Sequence, residues 1–198
     1  MNKILTRGRK NKQNICISVD TLGGDNGESV IVEGLELVRR QYTHVSYLLH
    51  GNSKKLDQWL TNYPELKKLS TIVHSSQAVL MTQKPTDALR NGKDTSMFSC
   101  IDSVQSKQAD AAVSCGNTGA LMLMSLVKLR KIPGVNRPAI AILWPSRNHS
   151  GFNIVLDAGA DVKADPEDLL KYAVMGSTYA QNGFNLTTPR VGLLNVGT

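Results

Sequence analysis

No stretch of this sequence is apolar for long enough to cross a membrane. The longest unbroken run, Ala139 to Trp144, stops at Pro145. The first dozen residues are basic and polar with no apolar centre, so no secretory signal is expected there. Cysteine is scarce: Cys16, Cys100 and Cys115 are an odd, scattered set without metal-ligand spacing, which excludes a disulfide framework and points to a reducing cytoplasm. The four histidines are as scattered, and no His, Cys and carboxylate cluster asks for a metal. Aromatic residues make up only 5%, and no nucleic-acid motif accompanies them, which argues against nucleic-acid binding. No Gly-x-Gly-x-x-Gly follows the first strand pattern, so a nucleotide-dependent dehydrogenase is disfavoured.

Acid is missing where base is dense. Residues 1–14 carry Lys3, Arg7, Arg9, Lys10 and Lys12 and no Asp or Glu, which is +5 of the formal +7. The rest of the chain is therefore only +2, and the basic character belongs to a tail expected to be disordered. Residues 15–198 read as an α/β domain.

What is present alternates. Ile15–Asp20 reads as a strand with Ile15, Ile17 and Val19 on one face, running into the Gly23-Gly24-Asp25 loop. A helix follows with Ile31, Leu35 and Val38 in its stripe. Val45–Leu49 is a second strand, and Lys54–Leu60 a helix with Leu56, Trp59 and Leu60 inward. Thr71–Val73 is a third strand. Pro85 and Gly92 bracket a short element containing Ala88 and Leu89, and Thr95 or Ser96 caps a helix carrying Met97, Ile101 and Val104. Ala109–Val113 reads as a strand buried on both faces, and Leu121–Leu129 as a buried helix. Ala139–Trp144 and Phe152–Asp157 are joined by too short a turn for a crossover, which predicts an antiparallel pair. Asp165 caps a helix to about Gln181, and Arg190–Gly197 reads as a strand entering a loop. The alternation predicts a three-layer α/β sandwich with a largely parallel sheet, its ligands beyond the carboxyl ends of the strands.

The stretch the chain is arranged around is Ser114-Cys115-Gly116-Asn117-Thr118-Gly119, between strand and helix. Such a turn aims backbone N–H groups and the positive end of a helix dipole at whatever sits above it, which suits phosphate, carboxylate or an oxyanion. The same spacing fits an ordinary glycine turn with Asn117 as its cap.

Several segments together resemble the phosphate acyltransferase family, PlsX. They are Val19-Asp20 with Gly23-Gly24-Asp25, Lys84-Pro85 with Ala88-Leu89-Arg90 and Gly92-Lys93, Ser96-Met97, and Gly116 to Met122. Arg137-Pro138-Ala139, Leu156-Asp157 with Gly159-Ala160, Pro166-Glu167, Met175-Gly176, Tyr179-Ala180 and Pro189 to Asn195 continue the pattern. Thr21 and Leu22 depart from the family loop. Cys115 stands where the family has a small residue without a thiol, so no catalytic role is carried onto it. Family members continue well past Asn195, so this chain is expected to lack a large C-terminal part.

The resemblance implies transfer of a fatty acyl group from acyl carrier protein to inorganic phosphate, giving acyl phosphate for phospholipid synthesis. It implies no cofactor and no metal, a fold like that of phosphate acetyltransferases and isocitrate-type dehydrogenases, and a homodimer. It also implies action at the inner face of the cytoplasmic membrane, through a contact outside these residues. Set against that reaction, Asn117, Lys93 and Asp20 are the catalytic candidates. Gly23, Gly24, Asp25, Arg90, Ser114, Gly116, Thr118, Gly119, Asp157 and Asn195 are the substrate-binding candidates. Lys93 and Arg90 fit a role toward phosphate or the acidic carrier as well as they fit solvated helix charges, and Asp20 and Asp25 suit proton transfer or turn capping. Two rivals stand beside this reading: a phosphate acetyltransferase using acetyl-coenzyme A, and a non-catalytic lobe of the same fold.

Overall fold

The computed structural model describes residues 14–135, 138–157 and 164–194. They group into two compact units that divide between Arg130 and Lys131. In the first unit four strands, β1 (Ile15–Asp20), β2 (Val45–Gly51), β3 (Ser70–His74) and β4 (Ala111–Ser114), form an all-parallel sheet in the order β3-β2-β1-β4.

One face of that sheet is apolar. Val19, Val45, Tyr47 and Leu49 pack with Val32 of α1 (Gly27–Gln41), Leu56 and Leu60 of α2 (Ser53–Leu60) and Leu66 of α3 (Pro64–Lys68). The buried line of α1 is Glu28, Val32 and Glu36, with Ile31 and Leu35 on its shoulder. Val38 lies outside it, exposed, because the helix rotates toward Glu36. That carboxylate is gripped by Arg39 at 2.7 Å and Arg40 at 2.9 Å, and the two guanidiniums hold its pKa down to about 2. Trp59, expected inward, is 40% exposed, since Leu56 and Leu60 already fill the i and i+4 positions of that short helix.

The opposite face is polar, and α5 (Ser96–Gln105) lies across it. The parallel register sets His50, Asp20 and Ser114 side by side at the carboxyl ends of β2, β1 and β4. Ser96, Ser99 and Ser103 follow helical spacing on α5 and meet that row. His50 Nδ1 lies 2.8 Å from Ser99 Oγ, and Nε2 lies 2.8 Å from Ser18 Oγ. Ser18 donates its own hydroxyl to Cys100 O at 2.9 Å, so it accepts from Nε2–H, and Ser99 donates to Nδ1. Every polar atom of the neutral imidazole is thus matched.

Burial pushes His50 down to a pKa of about 4 from 6.5. A folded-state value below the unfolded one means that the unfolded chain binds the extra proton. This stability is complete above about pH 6.5 and is lost as pH falls toward 4. Glu36 adds the same sign in a lower window, from 4.5 toward 2. The melting temperature is therefore expected to fall between about pH 7 and pH 5, where His50 is the group that has shifted, and His50→Gln to flatten that slope. Equal slopes in the two proteins, by calorimetry, would remove His50 from the explanation.

Beyond α5, α4 (Pro85–Asn91) and α6 (Thr118–Leu129) complete a second apolar cluster of Val79, Ala88, Met97, Ile101, Ala120 and Met124. The structure departs from the sequence pattern at β4 and α6. β4 is an edge strand among the described residues, with Val113 47% exposed, because only β1 pairs with it. Helix α6 buries only Ala120 and Met124 fully and leaves Val127 and Leu129 exposed, since α4 and α5 cover one side of it.

In the second unit β5 (Ala141–Pro145) and β6 (Phe152–Leu156) pair antiparallel, as the short turn predicts. Helix α7 (Pro166–Phe184) starts at Asp165, whose carboxylate accepts from Asp168 N–H at 2.8 Å. It lies on β6, where Gly176 admits Leu156, and Phe184 packs at a tilt against Phe152 with ring centroids 4.9 Å apart. The expected strand from Arg190 does not form over residues 190–194. Val191, Leu193 and Leu194 are exposed there, and an extended apolar segment becomes a strand only beside a hydrogen-bonding neighbour.

Candidate functional site

The carboxyl ends of β1 and β4 converge on one carboxylate. Asp20 is 1% exposed and accepts two hydroxyl hydrogen bonds, from Ser96 Oγ at 2.5 Å and Ser114 Oγ at 2.7 Å. Ser96 opens α5, so the positive end of that helix dipole also faces Asp20. Ser114 Oγ in turn accepts Gly116 N–H at 3.0 Å. A chain of contacts thus runs from the end of β1, through Asp20 and Ser114, into the turn before α6.

The glycine loop after β1 closes over this cluster. A Cβ on Gly23 would lie 2.6 Å from Asp20 Oδ2, 2.8 Å from Ser114 Oγ and 2.9 Å from Gly116 N. Gly24 has φ +103°, a conformation that favours glycine, and sits against Cys115. Gly116 packs under Met97 Cε and Gly23 Cα, and Gly119 under Pro85 Cγ. These glycines let three backbones approach more closely than any side chain permits.

Asn117 caps α6, its Oδ1 accepting Ala120 N–H at 3.0 Å. Its Nδ2 faces three carbonyls: Leu80 at 3.1 Å, Met81 at 3.2 Å and Gln83 at 2.9 Å. The Asn117 amide is therefore fully engaged within the protein. Gly116 N–H is held by Ser114, whereas the N–H groups of Asn117, Thr118 and Gly119, at the start of α6, have no acceptor among the described residues. Thr118 is also exposed, its hydroxyl at the mouth of the helix.

The structure thus gathers Asp20, Gly23, Gly24, Ser114, Gly116, Asn117, Thr118 and Gly119 into one place. Asp25 is exposed on the loop. Arg90, in the last turn of α4, and Lys93, in the loop before α5, are exposed and form no ion pair among the described residues. Neither hydrogen-bonds to the cluster. Asp157 belongs to the second unit, at the end of β6, with φ +62° and a buried Oδ1 that has no hydrogen-bond partner among the described residues. Asn195 lies outside the described residues. The member that sequence reading missed is Ser96, considered there as a possible helix cap and as part of the family pattern but not as a site residue. Thr95 is the cap, its Oγ1 accepting from Phe98 N–H, which frees the Ser96 hydroxyl to reach Asp20.

These residues build a parallel α/β sandwich with a glycine-lined, donor-rich turn at the carboxyl ends of adjacent strands, a geometry able to accept an anion. Two solved structures share the fold: a phosphotransacetylase from Streptococcus pyogenes, TM-score 0.62 at 18% identity, covering 85% of this chain and 54% of that one, and the EutD phosphotransacetylase from Staphylococcus aureus, TM-score 0.58 at 15% identity, covering 84% and 53%. Residues 15–198 match the family described as fatty acid synthesis protein, and the chain belongs to that family. Among its curated relatives, a phosphate acyltransferase of Cereibacter sphaeroides is 52% identical over 184 residues, 93% of this chain and 50% of that protein. One from a Ruegeria species is 54% identical over 182 residues, 92% of this chain and 48% of that protein. The chain spans about half the length of these relatives.

Proposed function

We propose that this chain serves the transfer of a fatty acyl group from acyl carrier protein to inorganic phosphate, giving acyl phosphate for phospholipid synthesis. The observation that carries this reading is the row of open N–H donors at Asn117, Thr118 and Gly119, braced from below by Asp20 and Ser114. Membership of the fatty acid synthesis family supports it.

Phosphate is substantially dianionic near neutral pH, and a thioester is already an activated acyl donor. The protein's task is to position the two reactants and to stabilise the oxyanion that develops at the carbonyl. A phosphate oxygen attacks the thioester carbon, the new C–O bond forms, and the C–S bond breaks to leave the carrier thiolate, which takes up a proton. The open donors and the Thr118 hydroxyl hold phosphate or the oxyanion. Lys93 and Arg90 offer exposed positive charge to phosphate or to the acidic carrier. A homodimer in the cytoplasm and a peripheral membrane contact rest on the resemblance to PlsX alone.

The test is thiol release from a long-chain acyl carrier protein, with and without inorganic phosphate, alongside a thermal melt. Phosphate-dependent release is expected. Release from acetyl-coenzyme A alone would turn the reading to an acetyltransferase, and none from a cooperatively melting chain would make it a binding lobe. Direct attack further predicts that Cys115→Ser keeps its turnover, because the exposed Cys115 has no hydrogen-bonded base among the described residues. Abolished turnover in a folded Cys115→Ser protein would favour an acyl-enzyme instead.

A further inference from the structure

We infer that Asn117 is a positioning residue: it fastens residues 80–85 to the phosphate-seating turn and leaves the contacts with the anion to the backbone. This rests on the phosphate reading above. Both polar atoms of the side chain are engaged inside the protein, Oδ1 by Ala120 N–H and Nδ2 by the carbonyls of Leu80, Met81 and Gln83. Asn117 itself is buried. An amide with two hydrogens shared among three carbonyls has no donor left for a phosphate oxygen.

The segment it holds has few other anchors. Val79 is buried, and Leu80 N–H reaches Gln83 Oε1 at 3.4 Å, a long bond within the segment itself. Pro85 rests on Gly119, the second residue of α6. Leu80 is 64% exposed and Met81 is also exposed, so the segment shows apolar side chains to solvent right beside the polar turn. Such side chains stay there because their backbone is clamped from beneath. Helix α4 starts at Pro85, so the same clamp sets where that helix begins relative to the turn.

The substitution that separates the two roles is Asn117→Ser. Serine remains a good N-cap, so α6 keeps its start, but it has no amide for the carbonyls. The expected result is that backbone amides in 79–85 exchange with deuterium about tenfold faster, while the affinity for inorganic phosphate stays within about threefold of wild type. Turnover falls more than phosphate affinity does. Val79→Ala loosens the same segment with Asn117 intact and is expected to give the same pattern. Unchanged exchange over 79–85 in Asn117→Ser, or a phosphate affinity about tenfold weaker, would overturn the inference and make Asn117 a ligand. If the wild-type chain binds no phosphate, the functional reading fails, and faster or unchanged exchange still decides for or against the clamp.

Discussion

Asp20→Ala is expected to lower stability by about 3 kcal/mol and to abolish phosphate-dependent turnover, the largest single effect in this site. Removing the carboxylate leaves two hydroxyls without their acceptor. Ser96 is fully buried, so its orphaned hydroxyl carries a desolvation penalty of about 1–3 kcal/mol. Ser114 is half-buried, and without Asp20 its hydroxyl is free to rotate away from Gly116 N–H, which loosens the turn. Asp20→Asn retains the shape but replaces one acceptor by a donor. Its loss of stability should be smaller, about 1–2 kcal/mol, with most of the turnover still lost.

The sign of the change in phosphate binding is diagnostic. A carboxylate acting only through its charge would repel the anion, and Asp20→Asn would then tighten phosphate. A carboxylate acting through Ser114 makes the same substitution weaken it. Asp20 is sealed from solvent and held by two donors at a helix start, so the second outcome is expected. Titration calorimetry with inorganic phosphate reads the sign directly. Tighter binding in Asp20→Asn would show that the hydroxyl chain does not organise the turn.

The parts of this fold legible in the sequence were those set by neighbours in the chain. The parallel strands, the β5–β6 hairpin and the Asp165 cap all follow from local pattern and turn length. Asn117 as the cap of α6 was legible for the same reason, since its Oδ1 partner is three residues away. Its other partners are 34–37 residues away, and Ser96 and Asp20 are 76 apart; no local spacing encodes either contact. Exposure misled for a related reason. Leu121 to Leu129 is apolar enough for a buried helix, yet burial depends on what packs alongside, and α4 and α5 cover only one side. Residues 190–194 carry a strand pattern without a ladder partner among the described residues. The polar row of His50, Asp20 and Ser114 is a property of register across three strands, which sequence order conceals.

Gly23→Ala is expected to lose phosphate binding and about 2–4 kcal/mol of stability through overpacking alone. The backbone at Gly23 is not in the left-handed region, so alanine's conformational preference is not the obstacle. The obstacle is space: the added carbon would fall 2.6 Å from Asp20 Oδ2, 2.8 Å from Ser114 Oγ and 2.9 Å from Gly116 N. None of these is the loose end of a flexible side chain. Asp20 is fixed by two hydrogen bonds, and Gly116 N belongs to the turn itself. Relief therefore requires the β1 loop to lift or the turn to move, and either breaks the Asp20–Ser114–Gly116 chain. Two other glycines serve as controls. Gly27 has φ +77° but nothing within 4 Å of a Cβ, so Gly27→Ala should cost about 1 kcal/mol of backbone strain and leave phosphate binding intact. Gly34, inside α1 with the same open space, should gain up to about 1 kcal/mol as alanine. Melts and phosphate titrations of the three variants separate crowding at the site from the general effect of replacing a glycine. If Gly23→Ala binds phosphate as well as Gly27→Ala does, the close approach of the β1 loop to the turn is not what shapes the anion seat.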